Sequence, residues 1–234
     1  MAKPASSAWS PISSGLVLWS DTGDEYDADF TYSSGVVVSQ ANDRSGAGNH
    51  LAQATAANQP NRNGTQNSRT TVVFDGSNHS LATSGSVNLG TAHTWIIACP
   101  PSSGSQDYLL YQTVAGGQQH AIISKYNNGG VKSYEWYASA GGRCTIGSGS
   151  ETGWHVLTVR RNGTAIDTRI DGAASNTATL SVNSTANNPI ILGASNLADN
   201  AAFSYGTLLI YNTNLSDADC ATNEAGLKTR WGIS

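Results

Sequence analysis

The sequence predicts an all-β fold, an antiparallel β-sandwich that ends in a short helix. Short runs rich in β-branched and aromatic residues are separated by Gly, Asn, Ser and Asp clusters, the pattern of a sandwich or jelly roll. Helical periodicity is nearly absent before Ser216. Because the composition of the 234 residues shows no sharp change, we expect a single domain over residues 15–234, preceded by an extended arm over residues 1–14.

The candidate strands combine apolar or aromatic residues with turn residues at their ends. We predict them at residues 15–19, 36–40, 70–74, 80–82, 94–98, 108–113, 120–125, 131–137, 143–146, 154–160, 165–170, 178–182, 190–194 and 204–211. In the run at 154–160, Val156 lies on one face, and Leu157 and Val159 lie on the other. Because both faces are apolar, this strand is expected to be central and buried on both sides.

The C-terminal segment predicts a helix over about residues 216–230. Ser216 is followed three residues later by a carboxylate, a pair that satisfies the free N–H groups at the start of a helix. Cys220, Leu227 and Trp231 recur on one face of a 3.6-residue period. We therefore expect the helix to pack back on the domain and to have an architectural role.

Charge and cysteine content exclude several classes of protein. Only 12% of residues are charged and the net charge is −4, so nucleic-acid binding, which needs clustered Lys and Arg, is not expected. The three cysteines form no C-x-x-C pair and leave one unpaired, which favours free buried thiols. The first residues lack an apolar core, and no segment is long and apolar enough to cross a bilayer. We expect synthesis in the cytoplasm without a signal peptide, and no membrane insertion.

Short segments in a fixed order resemble the landmarks of a known superfamily. They are GLVLW (15–19), NDRSGAGNH (42–50), QAT (53–55), QP (59–60), VFDG (73–76), WHVLTV (154–159), IDG (170–172), LSD (215–217) and RWGI (230–233). Through them the chain resembles the concanavalin A-like lectin/glucanase superfamily, in its laminin-G-like branch of bacterial and phage proteins. The resemblance implies a concanavalin A-like jelly roll, an architecture that hosts lectins, hydrolases and structural modules.

Glu25, Asp27 and Asp29 alternate, so on a strand their carboxylates would share one face, as glycoside hydrolysis requires of its paired carboxylates. The resemblance implies that a glucanase of this superfamily would carry such acids on a strand of the concave face, in the middle of the domain. Here the run follows the first strand, which favours a solvated acidic loop. Other acids, Glu135 among them, are isolated and offer no recognisable pair. We therefore predict no catalytic residue.

The same acidic run is a candidate calcium site, because Ca²⁺ takes six to eight oxygen ligands from loops. The candidate ligands are Asp21, Asp24, Glu25, Asp27 and Asp29. Their spacing does not fit an EF-hand loop, and a solvated acidic surface is the alternative reading. No other cofactor is expected.

Aromatic residues and amides mark a candidate glycan site. Tyr134 and Trp136 share one face of a strand, and Asn127 and Asn128 lie in the loop before it. Sugars bind flat aromatic faces beside a few polar groups. Core packing between two sheets is the competing interpretation, and the one we favour for these rings.

Three functions remain open from the sequence. The first is a non-enzymatic phage virion structural protein, a capsid decoration or a tail-associated protein with weak glycan binding. It implies localisation in the virion, a homo-oligomer such as a trimer, and contacts with the major capsid protein and a cell-surface glycan. The alternatives are a carbohydrate-binding module of a bacterial or phage adhesin, and a glycoside hydrolase.

Overall fold

The structure is a computed structural model that describes residues 9–102, 106–114, 118–126, 132–138, 142–147, 151–181, 183–195 and 199–234. Within these residues the chain forms twenty strands and one α-helix, α1. The strands, β1 to β20 in chain order, are Leu16–Asp21, Phe30–Ser34, Val37–Ala41, Leu51–Ala52, Asn61–Gln66, Arg69–Val73, Leu81–Thr83, Val87–Gly90, Ala92–Cys99, Gln106–Val114, Gln118–Tyr126, Lys132–Ala138, Gly142–Ile146, His155–Asn162, Ala165–Ile170, Ala173–Thr179, Ala186–Asn188, Ile190–Leu192, Ser204–Tyr205 and Thr207–Tyr211. The helix α1 spans Asp217–Trp231.

Two antiparallel sheets form the sandwich, which confirms the predicted fold class. The smaller sheet has six strands in the order β1-β20-β9-β14-β15-β16. The larger has twelve strands in the order β13-β12-β11-β10-β18-β7-β4-β3-β5-β6-β19, with β2 paired to β3. Strands β8 and β17 form a separate pair. The polar strand β5 was not predicted because it has no apolar alternation; its pairing with β6 holds it in place.

The main core lies between the two sheets, and a second apolar layer covers the outer face of the smaller one. Leu157 and Val159 of β14 point into the main core, whereas Val156 belongs to the second layer. Strand β14 lies between β9 and β15, so the predicted central strand with two buried faces is confirmed.

Helix α1 covers this second layer. The Ser216 hydroxyl accepts a hydrogen bond from the Asp219 N–H at 3.1 Å, and Gly232 ends the helix in the left-handed region at φ 64°. Cys220, Leu227 and Trp231 are fully buried against the sheet, as the periodicity predicted.

The described part of the N-terminal arm packs on the same helix. Trp9 lies against Gly226, and the Ile12 N–H donates to Asn223 Oδ1 at 3.0 Å. Helix α1 therefore anchors the chain immediately before the first strand. Among the described residues, no helix has the length and apolar character needed to span a membrane.

Candidate functional site

The outer face of the larger sheet carries an aromatic patch separate from the main core. It lies on β10, β11, β12 and β18, which are neighbours in the sheet. We name it the tyrosine face; its members are Tyr108, Tyr111, Tyr137, Ala121, Ile123 and Ile191. The rings of Tyr108 and Tyr111 meet edge to face, with centroids 5.9 Å apart.

Strand register places these side chains in two rows across the sheet. In the first row, Glu135 lies opposite Ile123, which lies opposite Tyr108. In the second row, Tyr137 lies opposite Ala121, which lies opposite Tyr111. Since alternate residues of a strand point to the same face, Glu135 and Tyr137 are adjacent on this face. The members within reach of a ligand are the partly buried Tyr137 and Ile191, because the other four are buried.

One carboxylate lies within the tyrosine face and is paired with an arginine. Glu135 is only 8% exposed, and its Oε2 accepts a hydrogen bond from Arg143 Nη1 at 3.0 Å. The Arg143 guanidinium also lies 5.0 Å from the centre of the Tyr137 ring. Arg143 itself is half exposed, so a ligand on this face can reach it.

A second carboxylate acts on the same face from the segment that follows β18. Burial raises the pKa of the Tyr108 hydroxyl, and the negative charge of Asp199 raises it further, while the positive charge of Arg143 opposes this. Asp199 is exposed and hydrogen-bonded to Ser195. The strand order puts β13, with Arg143, and β18 on opposite sides of the tyrosine strands. Charged groups therefore approach the tyrosine face from both sides.

The aromatic residues predicted to bind a glycan point away from this face. Tyr134 and Trp136 are fully buried in the main core, and the Tyr134 hydroxyl donates to the Cys99 carbonyl at 3.3 Å. Their burial leaves no ring face open to a sugar, so core packing, the favoured interpretation, describes them. Asn127 and Asn128 lie outside the described residues.

The acidic run forms a short 3-10 helix, Asp24–Asp29, rather than a strand, and Glu25 and Asp27 are exposed on it. Its acids therefore do not share a strand face, and the alternation suggested by Glu25, Asp27 and Asp29 has no structural counterpart. The run lies between the edge of the larger sheet and the end of α1, where Arg230 Nη1 contacts Glu25 Oε1 at 2.6 Å. Its role in this structure is to join these elements.

Each predicted calcium ligand has a partner within the chain. The pairs are Asp21 with Arg230 at 2.6 Å, Asp24 with the Thr70 N–H at 3.1 Å, Glu25 with Arg69 at 2.8 Å, Asp27 with Arg62 at 2.7 Å, and Asp29 with Arg44. Among the described residues, no group of three or more His, Cys, Asp or Glu side chains is placed to hold a metal ion. Arginines that are distant in sequence supply most of the positive charge that the acidic run needs.

A further pair of carboxylates flanks His155 on the other sheet. His155 Nδ1 lies 2.6 Å from Asp171 Oδ2, and Nε2 lies 3.7 Å from Glu151 Oε2 and 3.1 Å from the Thr152 carbonyl. Burial alone would lower the pKa of His155, but the hydrogen bond and charge of Asp171, with Glu151, raise it above its ordinary value. Because both ring nitrogens are engaged, this imidazole suits a structural cation and not a general base.

Sequence reasoning missed Glu135 as a site residue. The alternation of β12 separates Tyr134 and Trp136 from Glu135 and Tyr137, so the signal was present. With apolar or aromatic residues on both faces of the strand, the pattern alone could not show which pair faces the core.

Solved structures similar to this chain are glycosidases with a jelly-roll-like β-sandwich. A mutant GH54 α-L-arabinofuranosidase soaked with 4-nitrophenyl α-L-arabinofuranoside has a TM-score of 0.66 at 14% identity, over 83% of this chain and 51% of that chain. An arabinofuranosidase complexed with arabinofuranosyl-α-1,2-xylobiose gives 0.66 at 14% identity, over 95% and 60%. Trypanosoma rangeli sialidase in complex with sialic acid gives 0.63 at 11% identity, over 98% and 35%.

These likenesses show the fold alone, because every identity is low. The chain spans about half the length of the first arabinofuranosidase and about a third of the sialidase. No protein-family model matches the sequence, and no match is found among curated protein sequences.

The comparisons contradict the expectation of a non-enzymatic virion structural protein. The similar structures named above are all glycoside hydrolases, and they give no support to a phage, virion or capsid context. That prediction is therefore wrong, and so is the expectation that the chain is not an enzyme. The glycoside hydrolase, kept as an alternative from the sequence, is the better supported reading.

Proposed function

We propose that the chain is a glycoside hydrolase that binds its sugar on the tyrosine face and uses Glu135 as a catalytic carboxylate. The observation that carries this proposal is the position of Glu135, a buried acid among tyrosines on the outer face of a glycosidase-type sandwich. The sandwich and the order of the sequence landmarks support membership of the concanavalin A-like superfamily.

The chemistry assigns a role to each group on the face. The partly buried ring of Tyr137 provides apolar surface for a sugar ring, and the buried rings of Tyr108 and Tyr111 support it from within the sheet face. Glycoside hydrolysis uses two carboxylates that flank the scissile bond, and we assign Asp199, whose charge reaches Tyr108 of the same face, as the partner of Glu135. Arg143 compensates the charge of Glu135 at 3.0 Å and keeps its carboxylate oriented.

The test is release of 4-nitrophenol from a panel of 4-nitrophenyl glycosides that includes the α-L-arabinofuranoside, with a fluorogenic sialoside beside it. Glu135→Gln is expected to lower kcat by about 10²–10⁴-fold, because the amide can neither exchange a proton nor attack the sugar. Glu25→Gln is the matched control; this acid lies in the 3-10 helix, and its loss should leave turnover unchanged. Equal turnover by Glu135→Gln and the parent would refute the assignment.

A carbohydrate-binding module is the second candidate, and the Glu135–Arg143 ion pair favours it. An acid held at 3.0 Å by an arginine can orient sugar hydroxyls without taking part in chemistry. This reading predicts that the parent cleaves no glycoside of the panel yet retains a glycan on an array, and that Tyr137→Ala loses the retention. Self-association as a homo-oligomer and calcium binding stay predictions.

A further inference from the structure

A buried arginine lies between the two sheets without a charged partner. Arg161 of β14 is fully buried and faces His93 of β9 directly across the strand pair. Its Nε donates to the Gly163 carbonyl at 2.8 Å, and its Nη2 donates to Asn183 Oδ1 at 3.2 Å. Its Nη1 has no hydrogen-bond partner among the described residues.

No carboxylate of the chain balances this guanidinium. All 16 Asp and Glu residues belong to the described part, and none of them forms an ion pair with Arg161 there. The adjacent Arg160, by contrast, contacts Asp167 at 2.7 Å and Asp217 at 2.6 Å. Burial lowers the pKa of Arg161 to about 10. A buried charge with no partner is strongly unfavourable, so the site calls for a negative counter-charge.

A row of rings with neutral nitrogen atoms begins beside Arg161. The His93 and His120 ring centroids are 5.8 Å apart, and those of His120 and Trp136 are 5.3 Å apart. Four ring nitrogens in this row have no hydrogen-bond partner among the described residues: His120 Nδ1, Trp136 Nε1 and both nitrogens of His93. His93 does approach the Leu89 carbonyl, but outside hydrogen-bond geometry. Burial lowers the pKa of His120 to about 3, so it is a neutral donor at pH 7.

We propose that this cluster binds a small inorganic anion of the chloride class between the sheets, with Arg161 as its charged donor and the imidazole and indole N–H groups as neutral donors. His120 and Trp136 lie on the inner faces of β11 and β12, whose outer faces carry the tyrosine face, and Arg161 and His93 belong to β14 and β9 of the smaller sheet. A bound anion therefore stiffens the strands that hold Glu135 and Tyr137.

The test compares thermal unfolding in sodium chloride and sodium gluconate at one ionic strength. Chloride at about one hundred times its Kd should raise Tm by about 5–10 °C relative to gluconate, because only the folded state has the site. Arg161→Gln should abolish the difference between the two salts. Arg160→Gln is the matched control and should retain it, since that arginine already has carboxylate partners.

A direct measurement covers the case in which Arg161→Gln fails to fold. Crystals of the parent protein soaked in bromide should give an anomalous peak within hydrogen-bond distance of Arg161 Nη1. A water molecule at that position with no anomalous signal would overturn the proposal, as would equal Tm values in chloride and gluconate.

Discussion

Replacing Trp231 by alanine tests how helix α1 is held to the sandwich. The ring is fully buried, stacks on Trp154 with centroids 5.6 Å apart, and covers Gly206 so closely that an added Cβ there would clash with it. Its Nε1–H donates to Thr207 Oγ1 at 2.8 Å. Truncation of a buried tryptophan costs about 3–5 kcal/mol. Thr207 also donates to Asp21, so losing the indole leaves it one hydrogen bond and adds little.

The assay is equilibrium unfolding in guanidinium chloride followed by far-UV circular dichroism, which does not depend on the removed fluorophore. For a domain of this size the loss corresponds to a Tm decrease of about 6–20 °C. Trp231→Phe is the control; it keeps an aromatic ring against Trp154, and we expect it to cost about 1–2 kcal/mol. A Trp231→Ala variant within about 1 kcal/mol of the parent would show that α1 is not anchored by this ring.

Three further predictions concern stability and reactivity. The pKa of His155 is raised in the folded state. The protonated ring therefore contributes fully to stability below pH 6.5, the ordinary pKa of histidine, and this contribution is lost as the pH rises through the folded-state pKa. Unfolding free energies measured from pH 5 to 9 should show this decline, and Asp171→Asn should flatten it; a parent whose stability rises across the range would contradict the assignment. Gly206→Ala should cost about 1–3 kcal/mol in the same denaturant assay, because its Cβ meets the Trp231 ring; parent-like stability would refute the close contact. Thiol titration should detect no rapid reaction until denaturant is added, because burial raises the pKa of each cysteine, Cys99, Cys144 and Cys220.

The fold could be predicted from the sequence because its signals are local. The apolar residues on both faces of β14 predicted that the strand is buried on both sides. The capping residue Ser216 and the helical spacing of apolar residues from Cys220 to Trp231 predicted α1. Strand β5 was missed because its stability comes from pairing with β6 and not from its own apolar residues. Pairing partners far apart in sequence leave no local trace.

The acidic run shows the same limit for charged residues. No basic residue lies near it in sequence, so a cation or solvent was the natural counterpart to expect. In the fold, Arg62, Arg69 and Arg230 reach it from β5, β6 and α1. Composition records the number of arginines but not which acids they meet, so the balance of charge at a site follows only from topology.

This distribution of arginines also separates the proposed site from the rest of the molecule. In the acidic run, ion pairs tie the 3-10 helix to strands and to α1, so those carboxylates are committed to structure. On the tyrosine face, the arginine that meets Glu135 is half exposed and lies beside aromatic rings, so a sugar hydroxyl can compete for it. The carboxylates that look most catalytic in the sequence are held by largely buried arginines, whereas the arginine that holds Glu135 is half exposed. This contrast is why Glu135→Gln and Glu25→Gln, the same chemical change at two sites, form the decisive pair of variants.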